Sequence, residues 1–277
     1  MSNTRVAAVQ MASGPNLSAN LESAGKLLKR ARDAGATLAV LPEYFALMGS
    51  AAELLSAREQ PGSGPIQDFL AAQARKRKMW ICAGAVPIAT PTSNERIRAA
   101  YLLYDDSGRL VARYDKVHLF DVSIPGEHVE EYRESAFIEP GDEMVVADTP
   151  FGRLGLAACY DLRFPELFRA MLPGGLDMVA VPSAFTAITG RAHWEPLLRA
   201  RAIENLCYVV AAAQGGFHIS GRETWGNSMI IDPWGSVLER RRTGAGVVVH
   251  DVDASRVGSI RRIFPSISHI RMSTGPL

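Results

Sequence analysis

Cysteine is scarce in this 277-residue chain: there are three, Cys82, Cys159 and Cys207, set far apart. With no C-x-x-C pair, neither a disulfide framework nor a zinc ribbon is supported. An excess of one charge is also missing. Thirty Lys and Arg stand against 29 Asp and Glu, a formal net charge of +1. Nucleic acid as a partner usually demands a basic surplus, and an acidic disordered chain an acidic one. No apolar run approaches the roughly 20 residues of a membrane helix, so no membrane partner is expected. The N-terminal stretch MSNTRVAAVQ has no signal-peptide pattern, and the expectation is a soluble, cytoplasmic protein. No G-x-G-x-x-G follows a strand, and P-loop, G-x-S-x-G and H-E-x-x-H patterns are lacking; the six histidines are scattered. Neither a cofactor nor a metal is therefore expected.

What is present is a chain 47% hydrophobic, enough for a substantial core. Short apolar runs, several β-branched, predict strands at Arg5–Val9, Thr37–Leu41, Trp80–Val86, Ala99–Tyr104 and Leu110–Tyr114. More follow at Met144–Ala147, Leu154–Ala158, Met178–Val181, Tyr208–Ala212, Ser228–Ile231, Val237–Glu239 and Val247–His250. Asp105–Gly108 and Asp232–Gly235 read as hairpin turns. Helical spacing marks Asn16–Ala34, Pro65–Lys78, Pro165–Leu172 and His193–Asn205. The basic cluster Arg75–Lys78 reads as a solvated helix end. Alternating strands and helices with interspersed hairpins indicate an α/β protein with a mixed sheet. No repeat or long linker divides it, so one domain spanning 1–277 is expected. Residues 121–143 are charged, with few apolar anchors, and read as a long loop.

Three strands end in a reactive or charged side chain: LAVLPE at Glu43, LVARYDK at Lys116 and LGLAAC at Cys159. Ligands gather at strand ends in open α/β sheets. Cys159 lies where a buried strand gives way to a helix. It is either a small core residue or a nucleophile on an outward turn, with the Tyr160 N–H aimed at a developing oxyanion. Glu43 is either the cap of the next helix or a general base, and Lys116 either a surface charge or an oxyanion stabiliser.

From Val6 to about Phe264 the chain resembles the nitrilase superfamily of carbon–nitrogen hydrolases. The family's Glu–Lys–Cys triad falls on Glu43 in LPEYF, Lys116 in YDKVHLF and Cys159 in ACYDLRFPEL. The resemblance implies a four-layer α-β-β-α sandwich and a small-molecule amide as substrate, split through a cysteine thioester. It implies a homodimer, with the helices Pro165–Leu172 and from His193 as candidate pairing surfaces. It also places a second glutamate at Glu134, in Tyr-Arg-Glu-Ser, beside Lys116; the neighbouring Glu127, Glu130 and Glu131 read as solvated loop charges. Within the superfamily, Pro182–Gln214 and Asn227–Gly235 are most similar to the amidases that act on deaminated glutathione. The ω-amidase branch, acting on α-ketoglutaramate, shares the AHWE helix but typically differs where this chain reads CYVVAAAQ. The similarity assigns the substrate's α-keto acid end to Arg163, Phe185 and Thr189, types that suit a carboxylate fork, an acyl wall and a hydroxyl donor. Arg163 has a second reading as an ion-pair partner of Asp161 or Glu166, and Phe185 one as a core residue. The segment Gly216–Trp225 departs from the nearest relatives, which leaves the leaving-group preference open.

Overall fold

The computed structural model describes residues 4–125 and 129–272. Five strands open the chain: β1 (Thr4–Gln10), β2 (Leu38–Val40), β3 (Trp80–Thr90), β4 (Ser93–Tyr104) and β5 (Leu110–Asp115). A hairpin follows, β6 (Asp121–Ile124) and β7 (Glu130–Arg133), then β8 (Val145–Thr149), β9 (Gly152–Leu156), β10 (Met178–Ser183) and β11 (Tyr208–Ala213). The last five are β12 (Gly215–Phe217), β13 (Glu223–Trp225), β14 (Ser228–Ile231), β15 (Val237–Arg241) and β16 (Gly246–Val252). The helices are α1 (Leu17–Asp33), α2 (Ala51–Ser56), α3 (Pro65–Arg77), α4 (Pro165–Ala170), α5 (Ala187–Asn205) and α6 (Ala254–Ile263).

Two six-stranded sheets form, ordered β16-β1-β2-β3-β4-β5 and β15-β14-β11-β10-β9-β8. In each, three parallel strands lie at the centre (β1-β2-β3 and β9-β10-β11) with antiparallel strands outside. The central strands are buried on both faces, which is why they read as unbroken apolar runs. Alternation along them sorts the layers. Ala7, Val9, Ala39, Leu41, Ile81 and Ala83 join Leu27, Leu28 and Ala31 of α1 and Ile66, Leu70 and Ala74 of α3 in one outer core. Val6, Ala8, Leu38, Val40 and Cys82 face the other way and pack with the second sheet. That sheet's outer side is covered by Leu167 and Phe168 of α4 and Trp194, Leu198 and Ala202 of α5. The result is the α-β-β-α sandwich.

Local chemistry explains the ends. The Asn16 side chain accepts from the Ala19 N–H at 3.0 Å to start α1. Asp105 Oδ1 accepts from the backbone of Ser107 (3.0 Å) and Arg109 (2.9 Å), and Asp232 Oδ1 does the same for Trp234 (2.9 Å) and Ser236 (2.8 Å). Both expected hairpin turns are thus closed by an aspartate. Helix α5 begins at Ala187 rather than His193, capped by the Thr186 side chain. Gly190 in its first turns permits close approach of the β13 strand: a Cβ there would stand 2.3 Å from Trp225 Cβ.

Residues 121–143 are not one long loop. They hold the β6–β7 hairpin, paired from Asp121↔Arg133 to Ile124↔Glu130, and a 3₁₀ turn at Glu134–Ala136. The hairpin buries Ile124 alone among its strand residues, so it lacks the alternating apolar pattern that marks a half-buried strand. Glu130 and Glu131 are exposed as expected, and Glu127 lies outside the described residues. Helices α2 and α6 and the β12–β13 hairpin are further short elements that the sequence reading does not mark.

Leu28 is fully buried between α1 and the first sheet. Leu28→Ala is expected to lower unfolding free energy by about 2–5 kcal/mol in urea titrations; a loss well under 1 kcal/mol would contradict the outer-layer packing described here.

Candidate active site

Strands β2, β5, β9 and β10 end on one side of the sandwich, and the chain leaving each one enters a common pocket. There the two sheets are tied together: the Met11 N–H donates to Ala213 O at 3.3 Å and the Gly215 N–H to Met11 O at 2.8 Å. The pocket is lined by Glu43, Lys116, Glu134, Cys159, Tyr160, Arg163, Phe185 and Thr189, every site residue expected from the sequence.

Lys116 is at its centre, 1% exposed. Its Nζ donates to Glu43 Oε1 at 3.0 Å and to Glu134 Oε1 and Oε2 at 3.0 and 2.7 Å. Glu134 is oriented in turn by the Tyr44 hydroxyl at 2.9 Å and the Phe120 N–H at 2.8 Å. Glu43 accepts from the Tyr101 hydroxyl at 2.7 Å and shares the pocket lining with Cys159. Its main chain is anchored by Gln214, whose Nε2 donates to Glu43 O at 3.0 Å.

The electrostatics follow from burial and these partners. Burial pushes the Glu43 carboxyl up, but the Lys116 charge and hydrogen bonds from Tyr101, Cys159 and Lys116 outweigh it and leave the group below its ordinary value. Burial pulls the Lys116 ammonium down, yet Glu134 and Glu43 together hold it well above its ordinary value. Burial, and next the Glu43 charge, drive the Cys159 thiol well above the usual range, offset only in part by Lys116 and the Ala184 N–H. The resting site is therefore thiol, carboxylate and ammonium. Because its pKa is depressed, Glu43 contributes stability that is complete above its unfolded pKa and is lost as pH falls through the folded one.

Cys159 has a backbone φ of +36°, a left-handed conformation unusual for a residue with a Cβ. A fully buried carboxylate holds that turn. Asp161 Oδ2 accepts from the Ala158 N–H at 2.8 Å and the Tyr114 hydroxyl at 2.6 Å, and Oδ1 from the His118 N–H at 3.2 Å, with His118 Nδ1 at 2.7 Å. Asp161 thus fastens the cysteine turn to the segment carrying Lys116.

Arg163 pairs with neither Asp161 nor Glu166. It lies with its guanidinium carbon 5.2 Å from the Phe185 ring centre and 5.7 Å from that of Tyr160, and its Nη1 is 3.1 Å from His193 Nδ1. Phe185 serves both its readings: it is 5% exposed, packs on Trp194 at 4.9 Å between ring centres, and lines the pocket. The Thr189 hydroxyl sits 2.8 Å from that of Thr186.

Tyr44, Tyr101, Asp161, Ala184 and Arg222 also build the site and were not singled out as site residues from the sequence. Asp161 stands two residues after Cys159 in ACYD, and Tyr44 directly follows Glu43. Tyr101 reads as an ordinary strand aromatic, and Ala184 contributes only its main chain. Arg222 lies inside the divergent segment Gly216–Trp225, which the structure brings to the pocket rim.

This sandwich, with its acid, lysine and cysteine meeting at strand ends, defines a hydrolase of carbon–nitrogen bonds. The chain belongs to the carbon–nitrogen hydrolase family, whose model matches residues 5–262. It is 42% identical to the deaminated glutathione amidase of Yersinia enterocolitica, over 98% of this chain and 94% of that one. To the human deaminated glutathione amidase it is 39% identical, over 96% of this chain and 82% of the other. The crystal structure of the Caenorhabditis elegans NitFhit protein aligns with a TM-score of 0.90 at 38% identity, covering 98% of this chain and 66% of that longer one. XC1258 of Xanthomonas campestris, a CN-hydrolase superfamily protein with an arsenic adduct in its active site, aligns with a TM-score of 0.87 at 27% identity over 99% of each chain.

A raised thiol pKa has a spectroscopic consequence. The ultraviolet thiolate absorbance of the wild type, minus that of Cys159→Ala, is expected to show no thiolate at neutral pH. A titration step below about pH 8.5, the ordinary cysteine value, would contradict the resting state described.

Proposed function

We propose that this chain is an amidase that hydrolyses the side-chain amide of deaminated glutathione, giving α-ketoglutarate and cysteinylglycine. The observation that carries the reading is the contact of Cys159, Glu43 and Lys116 in one pocket that also holds Arg163. The relatives at about 40% identity over nearly the whole chain, each named for that substrate, support the same choice.

The chemistry follows from the resting charges. The amide carbonyl lies between Cys159, Lys116 and the Tyr160 N–H, with the α-keto acid end on Arg163, Phe185 and Thr189. Glu43, already ionised, takes the thiol proton as sulfur attacks, and the carbonyl π pair moves onto oxygen. Lys116 and the Tyr160 N–H stabilise that oxyanion. Glu134 fixes Lys116 and offsets its charge. When the oxyanion collapses, the C–N bond breaks and Glu43 delivers its proton to the departing nitrogen, leaving a thioester. Water then attacks as Glu43 takes one of its protons. The C–S bond breaks, and Glu43 returns the proton to sulfur. Pairing of two chains through α4 and α5, and a cytoplasmic setting, belong to the same reading.

Rapid-quench mass spectrometry with deaminated glutathione is expected to show an α-ketoglutaryl adduct on Cys159. Cys159→Ala should lose activity by a factor on the order of 10⁴ or more; full activity in that variant ends the nucleophile assignment. Wild-type kcat/KM should be higher on deaminated glutathione than on α-ketoglutaramate, and a clear preference for the latter would overturn the substrate.

A further inference from the structure

Arg222 enters the site on a bracket of its own. The β12–β13 hairpin turns at residues 218–222, closed by the His218 N–H to Arg222 O at 2.9 Å and the Gly221 N–H to His218 O at 2.9 Å. His218 pins it from beneath. Its Nδ1 lies 2.8 Å from Ser13 O and its Nε2 2.7 Å from the Thr224 hydroxyl. A carbonyl only accepts, so Nδ1 carries the proton and Nε2 accepts from Thr224. The hairpin is also joined to the acyl wall, with the Trp225 N–H donating to Phe185 O at 2.9 Å and a bridge between Thr186 and Thr224. The arginine is thereby held on the pocket rim rather than carried by a loose turn.

Its hydrogen-bonding capacity is underused. Nη2 donates to Ala184 O at 2.5 Å, the guanidinium carbon lies 5.1 Å from the Tyr132 ring centre, and Nε is buried with no partner among the described residues. No carboxylate among them forms an ion pair with Arg222 or with Arg163, whereas Lys116 is matched by two. The pocket lining therefore sets one ammonium and two guanidiniums against two carboxylates, and both unmatched charges are arginines. Arg163 stacks on the Tyr160 and Phe185 side. Arg222 also lines a second cavity, together with Tyr44, Phe120, Tyr132 and Glu134. The catalytic pocket is tight, with a cavity volume of about 10 Å³ against about 250 Å³ for its neighbour. The two cavities share Phe120, Glu134 and Arg222 in their linings, so the roomier one adjoins the catalytic pocket on the Arg222 side.

We propose that Arg222 is a specificity-determining residue that binds a carboxylate on the leaving group, so that the site takes amides anionic at both ends. The inference rests on the amidase reading and extends it: Arg163 holds the acid of the acyl half, Arg222 the free carboxylate of the departing amine. An arginine fork suits a carboxylate in two-pronged fashion. The opposing arginines would also fix which way round the substrate lies.

The test compares two substrates with the same α-ketoglutaryl group. One carries cysteinylglycine as leaving group, the other the same dipeptide with its carboxylate amidated. The readout is the ratio of their kcat/KM values, which does not depend on what fraction of a variant is folded. Wild type is expected to favour the anionic leaving group about 10- to 100-fold, the scale of a hydrogen-bonded charge pair. Arg222→Gln should bring the ratio near one, and Arg222→Lys should retain part of it. A wild-type ratio near one, or an unchanged ratio in Arg222→Gln, overturns the role of Arg222 while leaving the amidase reading standing. Failure of the wild type to cleave either peptide amide, with α-ketoglutaramate still hydrolysed, overturns both.

Discussion

Lys116 carries its charge into a place with almost no water, and the rest of the site is arranged around that fact. A buried ammonium is strongly unfavourable unless opposite charges and hydrogen bonds replace its hydration. Here Glu43 and Glu134 do so at 2.7–3.0 Å. Removing one member of such a buried set typically costs about 3–5 kcal/mol, because the other charges are left uncompensated. The arrangement also has a chemical result. Lys116 keeps Glu43 ionised against the pull of burial, while burial and Glu43 keep the thiol protonated. A base with an available lone pair thus faces an acid with an available proton, and the site is poised to transfer it when sulfur attacks.

Backbone conformation makes that contact possible. Both flanks of the Glu43–Cys159 pair are left-handed without glycine: Tyr44 at φ +57° and Cys159 at φ +36°. Residues held this way persist only when their surroundings over-determine them. At Tyr44 the constraint is the hydroxyl bond to Glu134. At Cys159 it is the Asp161 carboxylate, which grips the turn and the Lys116 segment together. The geometry of the two reacting groups is therefore supported by the same few bonds that join the two sheets' strand ends.

How much of this is legible in the sequence depends on what each element buries. Parallel central strands are apolar on both faces, so their abrupt ends at Glu43, Lys116 and Cys159 stand out from the residues alone. The four-layer arrangement follows from the family resemblance, since periodicity distinguishes a mixed sheet but not two stacked sheets. The β6–β7 hairpin reads as loop in the sequence because its strands are mostly solvated and charged, with no alternating apolar face. Tyr101 and Tyr44 do not stand out in the sequence, because a tyrosine in or after a strand carries no mark of its hydroxyl's partner. Arg222 lies on a short hairpin whose position is set by His218 on Ser13 and Trp225 on Phe185, contacts between residues far apart in the chain that no local pattern marks.

The most direct test of the account is the pH dependence of the acylation step itself, measured by rapid quench as the rate of thioester formation on Cys159. With Glu43 held ionised below its ordinary value of 4.5 and acting on a protonated thiol, the rate should be flat through neutral pH and fall only below about pH 4.5, near the ordinary glutamate value. A rate that climbs tenfold per pH unit from neutral toward alkaline pH would mean that a free thiolate, not the Glu43–thiol pair, is the attacking species, and would contradict the account.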